Sequence, residues 1–163
     1  MNSITQGALA NKSGKVLESL VEGMVSQYGF RVVQFRDLHK FPDEKELLIQ
    51  NAPYTTLYGS KGKTEFLLKS ERFNLNVRIE CKWQQSAGSV DEKLPHLYLS
   101  TVQAMPEKHV IILIDGDGFR DGAIKWLRNA VDSRLYIPEN QADKKIEMMT
   151  SVQFITWVNK VFR

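Results

Sequence analysis

Val110-Ile111-Ile112-Leu113-Ile114 is the longest purely aliphatic run in the chain. With His109 it reads as a strand whose two faces are both apolar. Such a strand is buried on both sides, as the inner strands of a parallel sheet are, so it needs neighbouring strands and helices above and below. The run is far short of the roughly 20 residues that cross a bilayer. With 163 residues, 42% of them hydrophobic, the chain is long enough for one sizeable core. Charged residues make up 25%, an ordinary globular share, which argues against a wholly disordered chain.

Residues 1–12 read as a flexible arm ahead of a single domain over 13–163. From Ser13, a candidate N-cap, Val16, Leu17, Leu20, Val21, Met24 and Val25 recur at helical spacing, and Gly29 is the candidate stop. Phe30–Phe35 is rich in β-branched and aromatic residues and reads as a strand. Residues 36–63, punctuated by Pro42, Pro53, Gly59 and Gly62, give no clear element. Thr64–Lys69 and Leu75–Trp83 read as strands joined by a turn over 70–74, a hairpin. Val90–Ala104 reads as a helix with Pro95 in its first turn. Gly122–Val131 reads as a helix and Ile146–Met149 as a short strand. Thr150 and Gln153 form a capping-box pattern for a last helix, with Phe154, Ile155, Trp157, Val158 and Val161 turned inward. This alternation predicts an α/β domain with a mixed sheet covered on both sides.

Lys plus Arg is 22 and Asp plus Glu is 19, a net charge of +3, which permits a polyanionic partner without requiring one. Cys81 is the only cysteine, so no intrachain disulfide forms, and a reducing, cytoplasmic setting is expected. The polar stretch Met1–Lys15 has no apolar signal core, so secretion is not expected. No Cys/His cluster has zinc-ligand spacing.

The richest chemistry lies in Arg78-Ile79-Glu80-Cys81-Lys82-Trp83-Gln84. Alternation along a strand sends Ile79, Cys81 and Trp83 to the core and Arg78, Glu80, Lys82 and Gln84 to the other face. A half-exposed strand with a solvated polar face gives the same pattern. Glu65, however, sits among apolar residues on the preceding strand, and a hairpin brings it beside Glu80. Two close carboxylates are unfavourable unless something neutralises them. A hard cation such as Mg²⁺ does so through oxygen ligands, with Lys82 beside it to hold a water or offset phosphorane charge. The bland alternative for Glu65 is an ordinary edge-strand acid. Asp43, Glu44 and Glu46 compete for the role of first acid, but their surroundings do not read as a hairpin strand.

Glu65 followed by Ile79-Glu80-Cys81-Lys82 resembles the PD-(D/E)XK nuclease superfamily, in which an acid on one hairpin strand precedes an E-x-K on the next. Gly14-Lys15-Val16-Leu17-Glu18 is similar to the glycine-and-acid helix start of many members, including Holliday-junction resolvases. Gln84 is similar to the glutamine that often follows the E-x-K, and Ser86–Lys93 to a stretch of restriction-endonuclease-like branches. The resemblance implies a restriction-endonuclease-like mixed central sheet flanked by helices on both sides. It also implies a Mg²⁺-dependent DNA endonuclease, with Mn²⁺ able to substitute. On this reading Glu65 and Glu80 bind the metal, the Cys81 carbonyl is a third ligand and Lys82 is catalytic. Glu18 contacts a metal-bound water or orients the lysine, and Gln84 braces the site. The first acid is commonly Asp in this superfamily, and here it is Glu65. One site per small domain reaches one strand, so a homodimer is expected for double-strand or junction cleavage. The rival reading is a non-catalytic nucleic-acid-binding or assembly protein that keeps the fold.

Gly59-Ser60-Lys61-Gly62-Lys63-Thr64 invites a phosphate-loop reading, but Leu57 stands where that pattern needs glycine, and a strand rather than a helix follows. No nucleotide cofactor is therefore expected. The segment reads instead as a basic turn whose Lys61 and Lys63 either touch a DNA backbone or remain solvated. Asp115-Gly116-Asp117-Gly118 resembles the opening of a calcium loop without its remaining ligands, and reads as a tight turn. His39, His96 and His109 have no evident partner, and Trp83, Trp126 and Trp157 read as core residues.

Overall fold

The computed structural model describes the backbone of residues 6–163 and the side chains from Lys15 onward. Helix α1 spans Gln6–Ser26 and is followed by strand β1, Arg31–Gln34, and a 3-10 turn over Phe35–Lys40. Strands β2 (Glu46–Thr55), β3 (Lys61–Ser70) and β4 (Leu75–Trp83) come next. A second 3-10 turn, Ser89–Lys93, leads into α2, Leu94–Gln103, with proline in its first turn as expected. Strand β5 (His109–Asp115), helix α3 (Asp121–Asp132), strand β6 (Lys145–Met149) and helix α4 (Ser151–Val161) complete the chain.

The strands form one six-stranded sheet in sequence order. β1 is parallel to β2, β2–β3 and β3–β4 are antiparallel, and β4, β5 and β6 run parallel. Helices α1 and α4 cover one face, packing Leu17, Val21, Phe154 and Val158 against Ile79, Ile111 and Leu113. Helices α2 and α3 cover the other, packing Leu94, Tyr98 and Leu127 against Val110, Ile112 and Ile114. The aliphatic run of β5 is thus divided between two cores, which is why none of its alternate positions needed to be polar. This is the expected α/β fold with helices on both sides of a mixed sheet. Among the described residues no helix is long and apolar enough to cross a membrane.

Several expectations need correction. Helix α1 already includes Gln6, so residues 6–12 are helical rather than an arm, and Ser13 lies inside the helix rather than at its cap. Ala8, Leu9, Ala10 and Lys12 all propagate a helix at little cost. The rest of the expected arm, residues 1–5, lies outside the described residues.

The stretch 36–63 contains the ten-residue strand β2. Pro53 does not break it, because β1 pairs only as far as Gln50, so Pro53 has no β1 partner to which an N–H would be owed. Lys61 and Lys63 open β3, opposite Thr55 and Pro53, and are not turn residues. His109 does have a partner: its Nε2 lies 2.6 Å from Glu147 Oε2. Trp83 and Trp157 pack against the first core, whereas Trp126 is 38% exposed.

The polar face of β4 is not solvated. Arg78 is only 2% exposed. Its guanidinium donates to both carboxylate oxygens of Glu107, to the carbonyls of Ala52 (2.9 Å) and Pro53 (3.1 Å), and to Thr64 Oγ1 (2.9 Å). A buried charge persists when it is both paired and hydrogen-bonded, and Arg78 has both forms of compensation. The result is a polar bolt through β2, β3, β4 and the segment before β5.

Candidate active site

The β3–β4 ladder runs from Ser70–Leu75 to Phe66–Ile79 and then ends. The next two residues in that register are Glu65 and Glu80. The β2–β3 ladder also passes from Gln50–Phe66 to Ala52–Thr64, leaving Asn51 and Glu65 out. Asn51 has φ +54°, a left-handed value that asparagine tolerates better than most residues. Glu65 is therefore a strand residue free of both neighbouring ladders. Its carboxylate reaches across to accept the Cys81 backbone N–H at 2.9 Å. Beneath, β4 remains in register with β5 from Val77–His109 to Trp83–Asp115, so Glu80, Cys81 and Lys82 stand on a fixed backbone.

Glu80 is 9% exposed. One carboxylate oxygen accepts from Lys82 Nζ, and the other, Oε2, is buried with no hydrogen-bond partner among the described residues. Burial pushes the Glu80 carboxyl up to about 7; Lys82 opposes the rise and Glu65 reinforces it. Burial would lower the Lys82 ammonium, but the negative charges of Glu80 and Glu65 outweigh it and hold Lys82 above its ordinary value. Lys82 Nζ also lies 3.4 Å from the Cys81 carbonyl. Glu18, on α1, is raised first by burial and then by Glu65 and Glu22, so it shares the same electrostatic field.

The structure thus brings Glu65, Glu80, Cys81 and Lys82 together, with Glu18 facing them from α1. Gln84 does something else: its side-chain Nε2 donates to the Gly118 carbonyl and its main-chain carbonyl accepts the Gly118 N–H, both at 2.8 Å. It braces the loop after β5 rather than the carboxylates. Gly116, at φ +105°, fits there because a Cβ would lie 2.2 Å from the Gln84 carbonyl oxygen. Asp115 is occupied by the Gly116 N–H and by Ser151 at the start of α4, so no calcium loop forms. Of the competing acids, Glu44 pairs with Arg31 at 3.1 Å, and Glu46 accepts from Ser70 and the Arg72 N–H. Glu46 lies opposite Ser70, at the far end of the β2–β3 ladder.

Lys61 and Lys63 are exposed at the start of β3. Lys63 also lines a pocket of about 310 Å³ with Glu18, Gln34, Gln50, Asn51 and Glu65. Sequence reasoning missed this row of amides because it lies on the unread strand β2 and at the end of β1.

Among the described residues no group of three or more His, Cys, Asp or Glu side chains converges as a metal centre. The available donor set is two carboxylates, Glu65 and Glu80, plus the Cys81 main-chain carbonyl. All are hard oxygens, the donors Mg²⁺ and Mn²⁺ prefer when they keep several waters. The orphaned Glu80 Oε2 is a buried carboxyl oxygen with no hydrogen-bond partner among the described residues, so these residues fit such an ion. The Cys81 thiol does not join them: burial pushes it well up, and it packs in the core with Ile79.

Residues 9–162 match the model of the PD-(D/E)XK nuclease superfamily domain. The chain belongs to that superfamily. Comparison with curated proteins and with solved structures gave no match.

Proposed function

We propose that the protein is a metal-dependent DNA endonuclease that hydrolyses phosphodiester bonds, with Mg²⁺ as its ion and Mn²⁺ able to replace it. The observation that carries this reading is the buried Glu80 Oε2, unpartnered among the described residues, beside Glu65 and Lys82. Bound there, the ion would polarise the scissile phosphate and acidify a water.

The protein's own groups do the rest. Glu65, fixed by the Cys81 N–H, and Glu80, fixed by Lys82, offer their carboxylates from adjacent strands without having to move. The Cys81 carbonyl adds a neutral oxygen between them. The Lys82 ammonium, held in its charged form by both acids, orients the attacking water or offsets the charge that builds on the phosphate oxygens. Glu18 receives a hydrogen bond from a water on the open side of the site. Lys61 and Lys63, exposed on the flank, pair with neighbouring phosphates of the DNA backbone. A homodimer supplies a second site where both strands are cut.

The test is nicking of supercoiled plasmid in Mg²⁺ by the wild type and by the purified variants Glu80→Ala and Lys82→Ala. Loss of nicking in both variants supports the reading, and undiminished nicking by either overturns it.

A further inference from the structure

Glu22, Gln50, Gln34 and Asn51 form one chain of side-chain hydrogen bonds. Gln50 Nε2 donates to Glu22 Oε1, Gln34 Nε2 donates to Gln50 Oε1 at 2.7 Å, and Asn51 Nδ2 donates to Gln34 Oε1 at 2.7 Å. A carboxylate accepts and does not donate. Glu22 therefore obliges Gln50 to turn its NH₂ toward α1 and its carbonyl toward Gln34. Gln34 is then obliged in the same sense, and Asn51 after it. One carboxylate on α1 sets the direction of every amide in the chain, and none is free to flip.

The chain ends at Asn51, which is exposed and lines the same pocket as Glu65 and Lys63. Once one Nδ2 hydrogen has gone to Gln34, the Asn51 amide retains a second N–H and Oδ1. Neither has a partner among the described residues. The end group is a donor beside an acceptor, held in a known sense next to the acid assigned to the metal.

We propose that Asn51 reads a base beside the scissile phosphate, and that the base is adenine. The inference rests on the nuclease reading above and names the substrate feature that site selects. In a duplex, adenine's major-groove edge offers the N6 donor next to the N7 acceptor, the complement of a side-chain amide. Guanine offers two acceptors there, thymine an acceptor and a methyl group, and cytosine a donor alone. Lys63, on the same pocket wall, holds the phosphate that brings the base into reach. The fixed amide direction sets which way round the adenine edge must be presented, and so the strand from which it is read, since a freely flipping amide would accept either order of donor and acceptor.

The experiment uses duplexes with randomised central positions. In one arm the full-length wild type cuts the pool in Mg²⁺ and the new ends are sequenced. In the other, the Lys82→Ala protein is allowed to bind the pool, and the bound fraction is sequenced. Adenine is expected to be enriched about tenfold at one fixed position beside the cut, and at one position in the bound fraction. Asn51→Gly, which suits the left-handed backbone, abolishes the enrichment. Glu22→Gln, which lies outside the pocket, leaves Gln50 an acceptor but removes the charge that fixes the direction of the amides, and weakens it. Equal base composition in wild type and both variants overturns the proposal. If the wild type cuts nothing, the nuclease reading fails, and the binding arm still decides whether Asn51 selects adenine.

Discussion

Glu65 on β3 and the main chain of Cys81 on β4 are joined by a 2.9 Å hydrogen bond just where the ladder between their strands has ended. A side chain thus replaces a main-chain partner and gains a fixed direction in return. Glu65→Gln keeps an acceptor for that N–H and removes the charge. Its thermal stability is expected to stay within about 0.5 kcal/mol of wild type. Its Mg²⁺-dependent nicking rate is expected to fall by about two orders of magnitude or more. Melting curves and plasmid nicking on the same preparation check both halves.

The Arg78–Glu107 pair is buried on both sides, at 2% and 8% side-chain exposure. Removing one partner strands the other charge, so Arg78→Met is expected to cost about 3–5 kcal/mol in urea unfolding. The double variant Arg78→Met/Glu107→Leu is expected to recover much of that loss, because neither charge is then left alone. A double variant as unstable as the single one contradicts this account of the bolt.

The same pair sets an acid limit. Burial pushes the Glu107 carboxyl up, but hydrogen bonds and charge from Arg78 outweigh it and hold Glu107 below its ordinary value. A carboxyl lowered by folding stabilises the fold fully above its unfolded value near pH 4.3, and that stabilisation fades as the pH falls through the folded value. Glu107→Gln is expected to be less stable than wild type at pH 7. The gap should narrow below about pH 4 as wild-type Glu107 becomes protonated. Unfolding free energies at a series of pH values measure it.

Much of this was legible beforehand. The apolar run of β5 specifies burial on both faces. The Thr150–Gln153 box specifies where α4 begins, and both of its hydrogen bonds form. Glu80 and Lys82 were readable because a strand period places them on one face. Strand β2 was not, because Pro53 signals a break, and only the end of β1 at Gln50 makes that proline harmless. The burial of Arg78 was not either: a charged residue at an alternating position reads as solvated until Glu107, 29 residues further on, is known to meet it. The amide chain from Glu22 to Asn51 spans three elements, and no local pattern announces it.

Gly116 and Gln84 give a further check. A Cβ at position 116 would sit 2.2 Å from the Gln84 carbonyl oxygen, at a φ of +105° that only glycine readily adopts. Gly116→Ala is expected to cost about 1–3 kcal/mol. It should also lower the nicking rate, because Gln84 directly follows β4, two residues beyond Lys82. Paired denaturation and nicking measurements test it.

The most direct measurement is Mn²⁺ binding, followed by electron paramagnetic resonance on the wild type, Glu65→Gln and Glu80→Gln. Saturable binding by the wild type, weakened at least about tenfold in each variant, is the expected result. Equal Mn²⁺ affinity in all three proteins would contradict the assignment of Glu65 and Glu80 as the anions that hold the ion.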